Sequence, residues 1–239
     1  MRARTVAKRA HDLATRALLA PRLRFEWRNP PFAHPNERAV EYAFALRALA
    51  AVGPGTVLDV GSGTTAWPHL LSTCGFRITA IDEMRSYWKE PIFNRHYHVI
   101  QNDITKPNVK SRFDAATCIS TLEHIRDHAA AVRGMFALLR PHGYLIMTFP
   151  YSEDRYVEDV YRHPSSDVEP YAGQICRMYD RATIDGWLAE HSADIVEQRY
   201  FRAFTGRLWR EGERVRPQPV EVARTEPHHL SCLLVRARG

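Results

Sequence analysis

From Asn36 onward the apolar and polar positions of the chain switch between two periods. In "NERAVEYAFALRALAAV" Val40, Ala43, Phe44, Leu46 and Ala50 recur at helical spacing, and Gly53-Pro54-Gly55 closes the segment. The short apolar run "TVLDV" then predicts a buried strand. "TAWPHLLSTC" predicts a helix in which Pro68 is tolerated because it falls in the first turn. "RITAID", "YHVIQNDI" and "DAATCIS" predict the second, third and fourth strands, "HAAAVRGMFALLR" a helix closed by "PHG", and "YLIMTFP" a fifth strand. Strands alternating with helices imply right-handed crossovers and a mostly parallel sheet.

After Pro150 the alternation breaks. The segment 151–180 is aromatic, acidic and loop-rich, and a loop of that length inside a compact domain is usually a lid or a binding wall. "RATIDGWLAEH" predicts a helix, "DIVEQRYFRAF" a strand and "HLSCLLVRA" a terminal strand. The stretch "GRLWREGERVRPQPVEVARTEP" between those two strands is too polar and proline-rich to count as core. Nothing repeats. The expected organisation is one α/β domain over 1–239, with 1–36 as a basic, helical N-terminal extension.

Composition narrows the classes. The chain has 239 residues with 45% hydrophobic content, enough for one α/β domain with a substantial core. Cys74, Cys118, Cys176 and Cys232 lie far apart with no C-x-x-C pair, which argues against a zinc site and a disulfide framework and suits a reducing, cytoplasmic compartment. The net charge of +6 is mostly arginine gathered near the two ends, which speaks to association with anions rather than to chemistry. "LATRALLA", broken by Arg16, is too short for a signal-peptide core or a spanning helix. A helix packing on the domain, or one resting on a membrane surface, are the two readings of this end.

The chemistry is concentrated in "VLDVGSGTTAWPHLL". Asp59-x-Gly61-x-Gly63 at the end of a strand, opening a helix, is the backbone of a nucleotide-binding turn: glycines admit a ligand close to the main chain, and a helix N-terminus offers free N–H groups. About twenty residues on, the second strand ends in "AID", whose Asp82 is placed to accept from ribose hydroxyls. With Ala66 in the third-glycine position, "GSGTTA" also fits a dinucleotide fingerprint. Against that stands Asp59, where dinucleotide folds carry a small or apolar residue.

The set "VLDVGSG", "ITAID", "NDI", "FDAATCISTLEHI" and "LLRPHGYLIMTFP" resembles the class I S-adenosylmethionine-dependent methyltransferases, closely over Val57–Pro150. The resemblance implies a Rossmann-like seven-stranded sheet of order 3-2-1-4-5-7-6, its last strand antiparallel, with helices on both faces. It implies S-adenosylmethionine as cofactor. Asp59, Gly61, Ser62 and Gly63 would surround its amino-acid end, Asp82 its ribose, and Glu83, Met84, Asp103 and Ile104 its adenine, while Ile119 and Ser120 would flank the sulfonium. "FEWRNPPFAHPNERA" would cover the cofactor or the acceptor.

His124 in "STLEHI" is the candidate general base for a hydroxyl acceptor. Tyr151, Asp154, Tyr156 and His163 are the candidate acceptor-binding residues. Some relatives that methylate RNA ends or quinone precursors carry a Glu-x-x-Glu-His metal cluster here. Glu123 and His124 match it, but Ser120 replaces the first glutamate, so no metal is expected. The polar-aromatic loop suits a small-molecule or glycan-linked hydroxyl, and "DEMRSYWKEPIFNRHYHVIQNDI" is similar to bacterial methyltransferases of surface-glycan assembly. RNA methylation and a non-catalytic cofactor-binding role stand as alternatives; oligomeric state is open.

Overall fold

Strands buried on both faces are mostly apolar, and Thr56–Val60 (β1) and Phe113–Ile119 (β4) lie at the centre of the sheet as such strands, with Asp59 and Thr117 their buried polar exceptions. The computed structural model of the chain describes residues 2–29, 35–84, 93–165 and 174–239. It divides into two units, Met1–Asn36 and Glu37–Gly239. Among its described residues the first has one helix, Arg2–Arg28 (α1), rich in arginine and with Pro21 inside it.

The second unit carries the sheet. Arg38–Val52 (α2) precedes β1; Trp67–Thr73 (α3) leads to Arg77–Asp82 (β2), Val99–Gln101 (β3) and β4; His128–Leu138 (α4) leads to Leu139–Pro150 (β5); Arg181–Glu190 (α5) leads to Ala193–Arg202 (β6), Val220–Val222 (β7) and Leu230–Ala237 (β8). The order is β3-β2-β1-β4-β5-β8-β6-β7. The first five strands pair parallel, and β8 pairs antiparallel with both β5 and β6. The expected seven-strand order is therefore present, with one further strand, β7, at the edge beside β6.

Alternation along the strands sorts the core into two layers. Leu58, Ala116, Cys118, Leu145, Met147 and Leu233 pack with Val132, Met135 and Leu138 of α4 and Ile184 and Trp187 of α5. Val57, Ala115, Ile146, Cys232 and Leu234 pack with Phe44, Ala48 and Leu49 of α2 and Trp67 and Leu71 of α3. Gly53 ends α2 in the left-handed region at φ 59°, its N–H donating to Leu49 O. Pro68 lies in the first turn of α3.

Two readings of the pattern need correction. The buried stripe of α2 is Glu41, Phe44, Ala45, Ala48 and Leu49, while Ala43 and Ala50 are exposed. A carboxylate lies in that stripe, so a search for apolar periodicity shifts the face around the helix. The polar stretch before β8 also contributes to the core, because Leu208 and Trp209 are buried, with Trp209 edge-on to Phe204 at 5.1 Å.

Gly134 lets α4 approach the turn after β3: a Cβ there would stand 1.9 Å from Ile104 O. Gly134→Ala should therefore cost about 1–3 kcal/mol of stability as the helix is pushed off that carbonyl, read as a lowered urea midpoint at unchanged slope.

Candidate active site

The carboxyl ends of β1, β2 and β4 and the turn after β3 open onto one cavity of about 480 Å³. Open parallel sheets hold ligands at this end of their strands. Asp59, Gly61, Ser62, Gly63, Asp82, Glu83, Met84, Asp103, Ile104, Ile119, Ser120 and His124 all line it.

The first wall is the turn after β1. Asp59 is buried, with Oδ2 accepting from Ser62 Oγ at 2.5 Å and Oδ1 from Thr117 Oγ1 at 2.6 Å. Burial pushes its carboxyl up to about 6, against the two hydroxyls, which favour the charged form. Gly61 and Gly63 adopt φ 77° and 51°, conformations natural to glycine. A Cβ on Gly61 would fall 2.1 Å from Thr121 Cγ2, so the glycine makes room for the neighbouring turn. Asn94 Nδ2 donates to Gly63 O and Thr65 O at 3.0 and 2.9 Å, holding the turn from outside.

Asp82 ends β2 and accepts from two backbone N–H groups, Gly63 at 2.9 Å and Met84 at 2.6 Å. It thereby ties the ends of β1 and β2 together, and a carboxylate with four lone-pair sites keeps capacity for further donors. In the turn after β3, Asp103 Oδ1 accepts from Thr105 N and Oγ1, both at 2.8 Å. Ile104 beside it is buried.

At the end of β4 the chain turns through Ser120, at φ 42°, into a short 3-10 helix, Leu122–His124. Thr121 Oγ1 donates toward Gly61 O at 3.2 Å. His124 lies 2.7 Å through Nδ1 from Ile175 O; a carbonyl only accepts, so the proton of the neutral ring sits on Nδ1. Burial pushes His124 down to about 4, against the Ile175 carbonyl and with the help of the Arg38 and Arg210 charges. The histidine is thus neutral near pH 7, a weaker base than the expected one poised near neutrality. Beside it, burial pushes Glu123 up to about 8.

Arg177 secures this corner. Its guanidinium donates to Ile125 O at 2.5 Å, Arg126 O at 2.8 Å and Glu158 at 2.8 Å, while its N–H donates to Glu123 O. The carboxylate beside Ser120 comes from Glu41 of α2, which accepts from its hydroxyl. Among the described residues, no group of three His, Cys, Asp or Glu side chains could hold a metal ion.

The four acceptor-side residues expected from the loop do not line the cavity. Tyr151 is buried, bridged to Tyr179, stacked on His228 at 5.6 Å and bonded to Glu153 at 2.7 Å. Asp154 is exposed and accepts from Ser152, the Tyr156 hydroxyl donates to Glu158, and His163 Nδ1 accepts from Ser165. The loop folds back on itself through the Tyr151–Tyr179 and Val157–Met178 bridges, and all four side chains bond to near neighbours within it, Glu153, Ser152, Glu158 and Ser165. Residues 166–173 of the loop lie outside the described residues, as do 30–34 of the segment expected to cover the cofactor or acceptor and 85–92 of "DEMRSYWKEPIFNRHYHVIQNDI".

Other residues complete the cavity wall. Gln174 and Ile175 from the far arm of the loop line the cavity, with Arg38 and Tyr42 from α2 and Trp67 from α3. Tyr42 and Trp67 stack at 4.6 Å. Arg38, Glu41 and Tyr42 share one helical face by their i, i+3, i+4 spacing, a signal the sequence does contain.

Residues 32–198 match the family model described as a methyltransferase domain. A ubiquinone biosynthesis O-methyltransferase of Xanthomonas campestris pv. campestris (strain B100) is 31% identical over 121 residues, covering 47% of this chain and 49% of that one. The chain thus spans about half the length of the curated relatives it matches. The 1,6-didemethyltoxoflavin-N1-methyltransferase of Burkholderia thailandensis, solved with 1,6-didemethyltoxoflavin and S-adenosylhomocysteine, superposes with TM-score 0.58 at 17% identity, covering 99% of this chain and 90% of that one. The N-methyltransferase NodS of Bradyrhizobium japonicum superposes with TM-score 0.55 at 16% identity over 89% and 92% of the two chains. The chain belongs to the class I methyltransferase family, whose cofactor is S-adenosylmethionine. No described helix is long and apolar enough to cross a membrane.

Gly61→Ala should destabilise the protein on two counts, the contact with Thr121 and the positive φ. The Gly61→Ala/Thr121→Gly pair should recover the steric part and leave about 1–2 kcal/mol of left-handed strain, measured by urea unfolding of both variants.

Proposed function

We propose that the protein transfers a methyl group from S-adenosylmethionine to the hydroxyl oxygen of a small or glycan-linked compound. The observation that carries this reading is the convergence in one cavity of the left-handed glycine turn, the carboxylates Asp59, Asp82 and Asp103, and a neutral histidine. The set of acceptors fits the cofactor's donors. Asp59 would face its ammonium, Asp82 its ribose hydroxyls and Asp103 the adenine amino group, with Ile104, Ile119 and Met84 against its apolar surfaces. When bound, S-adenosylmethionine supplies a methyl group already activated by its sulfonium.

What the chain adds is position and a proton acceptor. Ile119, Ser120 and His124 stand on the β4 side of the cavity, with Arg38, Gln174 and Ile175 also in its wall. With the proton on Nδ1 held at Ile175 O, Nε2 of His124 carries the lone pair that takes the acceptor's hydroxyl proton. The oxygen acceptor is supported by the name of the Xanthomonas relative, an O-methyltransferase. The free Cys74, Cys118, Cys176 and Cys232 support a reducing, cytoplasmic setting.

Labelled-methyl transfer into cell extract, separated into RNA, protein, glycan and small-molecule fractions, tests the acceptor class. Counts are expected in the glycan or small-molecule fraction. Counts in RNA alone, falling steeply with salt, would replace this reading by RNA methylation. With the acceptor in hand, His124→Ala should lower the rate by about a hundredfold with cofactor affinity intact.

The cofactor side makes a separate prediction. Asp59 attracts an ammonium only as the carboxylate, the form it holds above about 6. Affinity for S-adenosylhomocysteine should therefore fall between about pH 7 and pH 5, where an α-ammonium keeps its proton. His124, titrating near 4, contributes little to that fall. Calorimetry at the two pH values should show a much flatter response in Asp59→Asn, and an equal fall in both proteins would remove the role.

A further inference from the structure

Glu41 is a carboxylate with no solvent exposure, in the buried stripe of α2, and a charge so placed persists only where donors surround it. Three donors do. Arg38 Nη1 reaches Oε2 at 2.9 Å, while Ser120 Oγ and Thr148 Oγ1 both donate to Oε1, at 2.5 and 2.7 Å. The two hydroxyls come from the end of β4 and from the neighbouring strand β5.

Those hydroxyls bear on one backbone position. Ser120 stands in the left-handed region at φ 42°, which a serine adopts at a cost. Its N–H is held by Thr148 O and Thr148 Oγ1, each at 3.0 Å, and its side chain by Glu41. Arg38 Nη1, the same nitrogen that meets Glu41, also points to Ile119 O at 3.3 Å. The hydrogen bonds of Ser120 thus run to Thr148 and to Glu41 of α2, and Thr148 is itself anchored on Glu41. The conformation at Ser120 directs the next residue, Thr121, onto Gly61, whose carbonyl it contacts at 3.2 Å.

We infer that Glu41 is a positioning residue for the cofactor turn: its carboxylate holds Ser120 left-handed, which seats Thr121 on Gly61 and so sets the floor of the cavity. The inference rests on the proposed binding of S-adenosylmethionine in that cavity. Glu41 itself does not line the cavity. It acts through a backbone conformation, and this separates it from a glutamate that only neutralises Arg38.

The test exploits the difference between alanine and glycine at position 120. Both lose the hydroxyl that binds Glu41, but only glycine adopts the left-handed conformation without help. Calorimetric titration with S-adenosylhomocysteine, on variants shown by thermal unfolding to be folded, should find Ser120→Ala weakened by about tenfold, the size of one hydrogen bond to a charged group. Ser120→Gly should bind clearly more tightly than Ser120→Ala. Glu41→Ala should bind weakly, and Glu41→Ala/Ser120→Gly should recover much of the loss. Equal affinities of the alanine and glycine variants at 120, or an alanine variant as tight as wild type, overturn the inference. Because Glu41→Ala leaves Arg38 without its ion pair and can fail to fold, the pair at position 120 decides alone in that case. Failure of wild type to bind S-adenosylhomocysteine would instead overturn the cofactor reading, and this inference with it.

Discussion

β1 and β4 lie side by side, with Asp59 in register with Thr117, so the chain leaving each strand must pass the other within contact distance. Gly61 and Thr121 meet at that crossing, where any Cβ on residue 61 would overlap the threonine. The rest of the site is arranged around this approach. Gly61 N–H is returned to Ile81 O, drawing the turn toward β2, and Asp82 at the end of β2 takes Gly63 N–H. Three strand ends are thereby joined at the glycine turn, through its backbone groups and the short side chains of Asp82 and Thr121.

The polar interior follows from the same geometry. Asp59, Thr117 and Thr148 fall on the strand positions that face the α2 and α3 layer, where an apolar side chain would otherwise sit. Each is buried and each is satisfied, Asp59 by two hydroxyls and Thr148 by Glu41. Buried polar groups that are fully bonded specify one arrangement, since any shift leaves a donor or acceptor unpaired. Burial also moves their chemistry: a carboxyl held near 6 keeps its charge at pH 7 by a narrower margin than an ordinary aspartate, and a histidine held near 4 stays neutral well into acid.

The wall beyond β5 is made by chain folded back on itself. Arg177 ties the far arm of the loop to the carbonyls after the 3-10 helix, and Ile175 O fixes the tautomer of His124. Residues more than fifty positions apart thus set the protonation of one ring. The expected aromatic wall of Tyr151 and Tyr156 is absent from the cavity: Tyr151 stacks on His228 and bonds Glu153, and Tyr156 lies beside Tyr179 and bonds Glu158.

Much of this protein was legible without a fold. Alternation of periods predicted a parallel sheet, and the carboxylates at the ends of "VLDV", "ITAID" and "NDI" all reached one cavity, because a motif at a strand end carries its own local geometry with it. The tertiary structure alone decided what depends on distant partners. Glu41 reads as a charged interruption of a helix until Ser120 and Thr148 are brought to it. Gly61 reads as space for a ligand until Thr121 is found above it. His124 reads as a base near neutrality until burial and the Ile175 carbonyl set its proton. Sequence periodicity reports which face of an element turns inward, whereas the identity of the group waiting there is a property of long-range contacts.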